Sequence, residues 1–99
     1  MNLTLMTDLE ILEMLASRAK EVRIDNNLRQ SDLSQKSGVP LSSIRVFERS
    51  GTISLVYLIK VLRALSLVEE LDGLFQVSEI VDLKKVLKKS AKVRKRVRK

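Results

Sequence analysis

The side chains with which this chain could do chemistry are basic, acidic, amide or hydroxyl groups, because its 99 residues include neither cysteine nor histidine. Thiolate metal ligands, a disulfide framework and the commonest general base are therefore missing from the chain. The three glycines, Gly38, Gly51 and Gly73, stand too far apart to build a loop that cradles phosphates. We therefore expect no enzyme activity, no metal site and no cofactor.

The charged side chains divide the sequence into two parts. The net charge of the chain is +7, yet residues 1–82 carry 9 basic and 12 acidic side chains, whereas residues 83–99 carry 10 basic and no acidic ones. A basic block of this kind is typical of a solvated arm, and its partner is usually anionic. We expect a loose N-terminus at 1–6, one helical domain at 7–76, and a basic C-terminal helix or tail at 77–99.

The N-terminal residues lack the basic region and the apolar run of a signal peptide. Elsewhere no apolar run approaches the roughly 18 residues that a membrane span needs. We therefore expect a cytoplasmic protein with no membrane partner.

Two short helices separated by a glycine are predicted between residues 30 and 49. The first is expected at Gln30–Ser37 and the second from Leu41 to about Arg49, with Gly38 in the left-handed conformation after the first helix. Pro40 is expected in the first turn of the second helix, where its missing N–H costs nothing. Two helices joined by such a turn form a helix-turn-helix.

The elements that must position this unit are read from hydrophobic spacing and capping residues. A first helix should begin at the capping box of Thr7 and Glu10 and end near Asn26. A helix capped by Ser54 and a short fifth helix from Val68 to Phe75 should follow. Their expected buried residues are Leu9, Leu12, Leu15 or Ala16, Ala19 and Val22 in the first helix, Leu55, Leu58, Ile59, Leu62 and Leu65 in the fourth, and Leu71, Leu74 and Phe75 in the fifth.

With these residues the chain resembles the Cro/repressor family of helix-turn-helix proteins, the xenobiotic-response-element class, over roughly residues 15–75. The resemblance implies an all-α fold of five helices. It is carried by Arg23, Leu28, Gln30, Leu33, Gly38, Val39, Ile44, Glu48 and the segment RALSL at 63–67. Three positions depart from the family pattern: Arg29 stands where a Ser or Thr cap is usual, Ser34 replaces a small Ala, and Ser50 is an extra residue before Gly51.

The resemblance implies that the second helix of the unit lies in the major groove of DNA. Gln30 would then contact a phosphate, and an ion pair of Arg23 with Glu48 would be structural. The alternative for each DNA-facing residue is plain exposed helix surface, and for the ion pair a surface contact of little energy. The residues implied to face DNA are Gln30, Leu41, Ser42, Ser43, Arg45, Val46 and Arg49.

The segment LIKVLRALSL and the basic C-terminal residues further resemble HipB-type antitoxins, which are encoded beside HipA-type kinase toxins. That resemblance implies a homodimer that binds double-stranded operator DNA and a HipA-like kinase toxin and represses its own operon. The alternatives are a stand-alone phage- or stress-type repressor, and a module that sequesters a protein partner with little DNA role.

The basic C-terminal segment has three interpretations. It is a DNA-backbone arm that adds salt-dependent affinity, a segment that becomes ordered on an acidic partner, or a solvating tail. Deep membrane insertion is disfavoured because the segment has no Trp or Phe. The residues assigned to the arm are Lys92, Arg94, Lys95, Arg96, Arg98 and Lys99.

Overall fold

The computed structural model of the protein describes residues 2–76 and contains only helices and connecting turns over that range. The α-helices are α1 (Asp8–Asp25), α2 (Gln30–Ser37), α3 (Leu41–Ser50) and α4 (Leu55–Ala64). Short 3-10 helices precede and follow them at Leu3–Leu5 and Val68–Gly73. No helix in the part of the chain that the structure describes is both long and apolar enough to cross a membrane.

The predicted start and end of α1 are confirmed. Thr7 Oγ1 accepts a hydrogen bond from the Glu10 N–H at 3.1 Å, and Glu10 Oε1 accepts one from the Thr7 N–H at 2.9 Å. These two bonds satisfy N–H groups that have no partner within the helix. After Asp25 the chain turns through Asn27, whose φ of 59° is left-handed. Asparagine adopts the left-handed conformation more readily than most residues, so the chain can turn away at Asn27 after the end of α1.

The hydrophobic core lies where α1 and α2 pack against α3 and α4 packs against α2. The four most completely enclosed side chains are those of Leu33, Val39, Ile44 and Val61. Each contributes on the order of 2 kcal/mol through the apolar surface that it removes from water. The buried core comprises Ala16, Ala19, Leu33, Val39, Ile44, Phe47, Val61, Ala64 and Leu65.

The predicted buried faces of α1 and α4 are wrong at their N-terminal ends. Leu9, Leu12 and Leu15 are 57%, 38% and 47% exposed, whereas Ala16 and Ala19, which were also predicted, do enter the core. In α4 the exposed fraction of Leu55 is 68%, and the core residues are Val61 and Ala64. Helical spacing alone cannot distinguish neighbouring stripes on an apolar helix, because the packing partner decides which stripe is covered.

Two predictions of local structure need correction. Pro40 does not lie in the first turn of α3 but precedes it, with a ψ of 142° and a carbonyl that accepts the N–H groups of Ser43 and Ile44. The predicted short fifth helix is present as the 3-10 helix Val68–Gly73, which ends two residues before the expected Phe75. Phe75, expected to be buried, is 99% exposed. Three acidic residues and Gly73 leave this segment little apolar surface with which to stabilise an α-helix.

Candidate nucleic-acid interface

The exposed face of α3 carries the predicted DNA-facing residues on one side of the helix. Ser42, Arg45 and Arg49 are exposed and spaced three and four residues apart, which places them on one face. Leu41, Ser43 and Val46 flank them and are half-buried. The opposite face holds Ile44 and Phe47 in the core. The amphipathic character of α3 therefore leaves a polar, basic strip outside.

An open groove of about 320 Å³ runs between α3 and the turn that leads into α4. None of its lining side chains is charged, and most carry a hydroxyl group. Any ligand in this groove would therefore be held by neutral hydrogen bonds and apolar contacts. The lining residues are Ser42, Ser43, Val46, Thr52, Ile53, Ser54 and Tyr57.

On the side of the helix-turn-helix that faces the core, an ion pair connects α1 to α3. Arg23 Nε donates to Glu48 Oε2 at 2.7 Å, and Arg23 Nη2 donates to Glu48 Oε1 at 3.0 Å. The side chains are only 9% and 5% exposed. Arg23 Nη1 also donates to the carbonyl oxygen of Leu28 at 2.7 Å, in the connection between α1 and α2. A two-point guanidinium–carboxylate contact of this kind fixes orientation as well as distance.

Gln30 joins the same cluster from the first residue of α2. Its Nε2 donates to Glu48 Oε1 at 2.9 Å, and the residue is half-buried. We call Arg23, Gln30, Glu48 and the Leu28 carbonyl the anchoring network. The resemblance had implied a phosphate contact for Gln30, and this bond to Glu48 could not be read from sequence because the two residues are 18 positions apart.

The start of α2 contains a second ion pair that sequence reasoning missed. Asp32 Oδ2 accepts the backbone N–H of Arg29 at 2.8 Å and its Nε at 3.1 Å. The backbone contact satisfies the Arg29 N–H and forms the carboxylate half of a capping box. The hydrogen bond from the Arg29 side chain is the main cause that lowers the pKa of the Asp32 carboxyl group. The sequence feature that could have predicted this pair is the acidic residue Asp32, three positions after the helix cap Arg29.

The departures from the family pattern at Ser34 and Ser50 are accommodated by hydrogen bonds. Ser34 Oγ donates to the Val39 carbonyl at 2.6 Å, and Ser37 Oγ accepts the Val39 N–H at 3.1 Å. These two bonds fasten the turn between α2 and α3. Ser50 Oγ donates to the Val46 carbonyl and accepts the Thr52 N–H. The serines therefore stabilise the two turns that border α3.

The segment from residue 27 to residue 67, which contains the helix-turn-helix, is more basic than residues 1–82 as a whole. Residues 27–67 contain six Lys and Arg side chains but only two acidic ones, Asp32 and Glu48. Both acidic groups are engaged in the two ion pairs found in residues 2–76. The basic side chains of this segment outside those pairs are Lys36, Arg45, Arg49, Lys60 and Arg63. The net charge of this segment is therefore positive, which suits a polyanion.

The predicted backbone arm lies outside the described residues, as do the apolar residues Ile80, Leu83 and Leu87, which the sequence predicts as a candidate dimer patch. The arm comprises Lys92, Arg94, Lys95, Arg96, Arg98 and Lys99. The assignment of these residues stays a prediction from sequence.

Comparison with known families agrees with this geometry. A helix-turn-helix family model of the Cro/C1 type matches residues 20–70, just over half of the chain. The matched range begins within α1 and includes α2, α3 and α4. No curated protein has a matching sequence. The match covers the two helices joined at Gly38 and the buried Arg23–Glu48 pair. The chain therefore belongs to the Cro/C1-type helix-turn-helix family of DNA-binding regulators.

Proposed function

We propose that this protein is a sequence-specific transcriptional repressor that acts by binding DNA and catalyses no reaction. The observation that carries the proposal is the division of α3 into a core-facing side and an exposed side bearing Ser42, Arg45 and Arg49. The exposed arginines form no ion pair within residues 2–76. An exposed helix with donors of this kind fits the major groove, whose base edges present distinct acceptor patterns.

Individual contacts follow from side-chain chemistry. Arg45 can donate two hydrogen bonds to a guanine or a phosphate, and Ser42 and Ser43 can donate to, or accept from, a base edge or the backbone. Leu41 and Val46 offer apolar contact to a thymine methyl group. Arg49, one turn further along α3, adds a cationic contact. Gln30 and the first backbone N–H groups of α2 suit a phosphate.

The test requires a DNA site that the protein binds. Such a site can be obtained by selecting duplexes from a random pool with the unmodified protein. We expect the double variant Ser42→Ala/Arg45→Ala to lose at least about tenfold in affinity for the selected duplex, since one good base contact contributes about 1–3 kcal/mol. Arg18→Ala, which removes an exposed arginine of α1, is the matched control. Unchanged sequence preference in the double variant would refute the assignment of α3 as the recognition helix.

We further propose that the protein binds DNA as a two-fold dimer. A single helix-turn-helix makes few specific contacts, and two-fold dimers on palindromic sites with half-sites about 34 Å apart are the usual remedy. Ile11 and Met14, half-buried on α1, are candidate interface residues within the described range. Sedimentation at micromolar concentration should show a dimer. A monomer both with and without the selected duplex would contradict the proposal.

The more specific role that we propose is that of an antitoxin that binds a HipA-like kinase toxin as well as its operator. Its support is the sequence resemblance of residues 58–67 and the basic segment 83–99 to HipB-type proteins. Co-expression with the neighbouring reading frame should yield a complex that survives the Ser42→Ala/Arg45→Ala substitution. Absence of a kinase-like neighbour would favour the alternative of a stand-alone repressor. A complex with such a neighbour and no DNA binding would favour a sequestering module.

A further inference from the structure

The half-buried amide of Gln30 has a defined orientation because Glu48 is next to it. A carboxylate only accepts hydrogen bonds, so the atom of the amide that lies 2.9 Å from Glu48 Oε1 must be the nitrogen. The amide nitrogen carries two hydrogens, and Glu48 takes one of them. The second hydrogen and the carbonyl oxygen Oε1 remain for an external ligand.

Glu48 is itself held in place by Arg23. Its two oxygens receive Arg23 Nε and Nη2 at 2.7 and 3.0 Å, and the Arg23 side chain also binds the Leu28 carbonyl just before α2. The carboxylate therefore cannot rotate without breaking contacts to α1. Since the Gln30 amide shares Oε1 with Arg23, its position is tied to α1 and α3 at once.

Gln30 is also the first residue of α2, where backbone N–H groups lack partners within the helix. The Leu33 N–H bonds to the Arg29 carbonyl, so the N–H groups of Gln30, Ser31 and Asp32 precede the first intrahelical bond. These N–H groups and the free hydrogen of the Gln30 amide are all neutral donors. A phosphate group of the DNA backbone is the ligand that such a set of donors suits.

We propose that Glu48 is a positioning residue for DNA binding, which orients the Gln30 amide so that its second hydrogen reaches a backbone phosphate beside the α2 N-terminus. This inference rests on the proposed function. In free solution a glutamine side chain samples many rotamers, and ordering it on binding opposes association. The bond to Glu48 removes that freedom before DNA arrives. Glu48 thus acts on DNA through Gln30 and not by contact of its own.

The first experiment measures affinity for the selected duplex in a double-mutant cycle. Gln30→Ala should lose roughly 10- to 150-fold, the effect of one hydrogen bond to a charged group. Gln35→Ala, an exposed glutamine on the same helix, is the matched control and should lose less than about twofold. The salt dependence of binding should not change, because a neutral donor releases no counterion.

The cycle is completed in the background Arg23→Met/Glu48→Met, which removes both buried charges together and can leave stability nearly unchanged. Without its acceptor, the Gln30 amide should contribute little, and Gln30→Ala should then lose about twofold or less. A structural role alone would lower the unfolding temperature without this coupling in affinity. An equal loss in both backgrounds would overturn the inference.

A second measurement uses the unmodified protein and does not depend on the folding of that background. Nuclear magnetic resonance relaxation should find the side-chain amide of Gln30 ordered and that of Gln35 mobile. Equal mobility of the two amides would overturn the inference. If the unmodified protein selects no duplex at all, the proposed function fails. If it selects one and Gln30→Ala behaves like Gln35→Ala, only the inference fails.

Discussion

The two faces of the helix-turn-helix unit contain the same kind of ion pair in opposite environments. On the inner face, Arg23 and Glu48 are 9% and 5% exposed and connect α1 to α3. On the outer face, Arg29 and Asp32 are 83% and 31% exposed and lie within one turn of α2. A buried pair that loses one partner leaves a charge without water, whereas an exposed pair is screened and exchanges with solvent. Loss of one partner should therefore lower stability strongly on the inner face and only slightly on the outer face.

The largest effect is expected where one inner charge is removed. Arg23→Met leaves the Glu48 carboxylate buried with only Gln30 as a partner, so the free energy of unfolding should fall by about 3–5 kcal/mol. Urea unfolding followed by circular dichroism measures the loss. Arg23→Met/Glu48→Met should restore most of the stability. A loss below about 1 kcal/mol in the single variant would place this pair in the same class as a surface contact.

The next largest effect concerns the glycine that ends α3 on the inner face. Gly51 has a φ of 84°, and a Cβ built there would lie 2.6 Å from both the Cβ and the carbonyl oxygen of Leu12. Gly51→Ala should destabilise the fold by about 2–4 kcal/mol, because left-handed strain adds to a clash with α1 backbone.

Gly38 supplies the matched control for this substitution. Its φ of 80° is equally left-handed, but a Cβ there would meet no atom within 4 Å. Gly38→Ala should therefore lose only about 1–2 kcal/mol, from backbone strain alone. Equal losses at the two glycines would show that the contact between Gly51 and Leu12 contributes nothing.

On the outer face, the arginines of α3 should affect DNA binding and leave folding unchanged. Arg45→Lys keeps the charge but loses the planar two-point donor, so affinity for the selected duplex should fall about tenfold with little change in the salt dependence. The free energy of unfolding should stay within about 0.5 kcal/mol. Arg49→Lys serves as the comparison at the other exposed arginine. If Arg45 contacts only phosphate, Lys will substitute for it and sequence preference will be unchanged.

The smallest effect is expected for the outer ion pair. The pKa of Asp32 is lowered by its hydrogen bond from Arg29, so the carboxylate stabilises the fold above its unfolded pKa of about 4. That contribution disappears as the pH falls through the lower folded pKa. Asp32→Asn should remove a small part of the acid-induced loss of stability below about pH 4. Thermal unfolding between pH 2 and pH 7 measures it, and parallel curves for variant and parent would contradict the assignment.

Short-range signals in the sequence predicted local structure well. The capping box of Thr7 and Glu10, the left-handed Gly38, and the cap at Ser54 are contained within four residues of chain, and all three appear as expected. The range predicted for α2 agrees with the structure at both ends. Local hydrogen bonding and backbone sterics decide these features, so the sequence is enough to predict them.

Features that depend on what packs against a helix were predicted less well. Leu55 was expected in the core and is exposed, while Val61 fills that role. The short helix expected from Val68 to Phe75 is a 3-10 helix that ends at Gly73, and Phe75, expected to be buried, is exposed. An apolar residue is buried only where another element covers it, and periodicity does not report the covering element.

The sequence by itself determined the helix-turn-helix, its turn at Gly38 and the concentration of positive charge at the C-terminal end, because each depends on residue type and short spacing. Only the tertiary structure decided that Gln30 bonds to Glu48 and that Gly51 meets Leu12. The two contacts join residues that are 18 and 39 positions apart in the sequence. Such contacts follow from how α1 and α2 pack against α3, which no local pattern specifies.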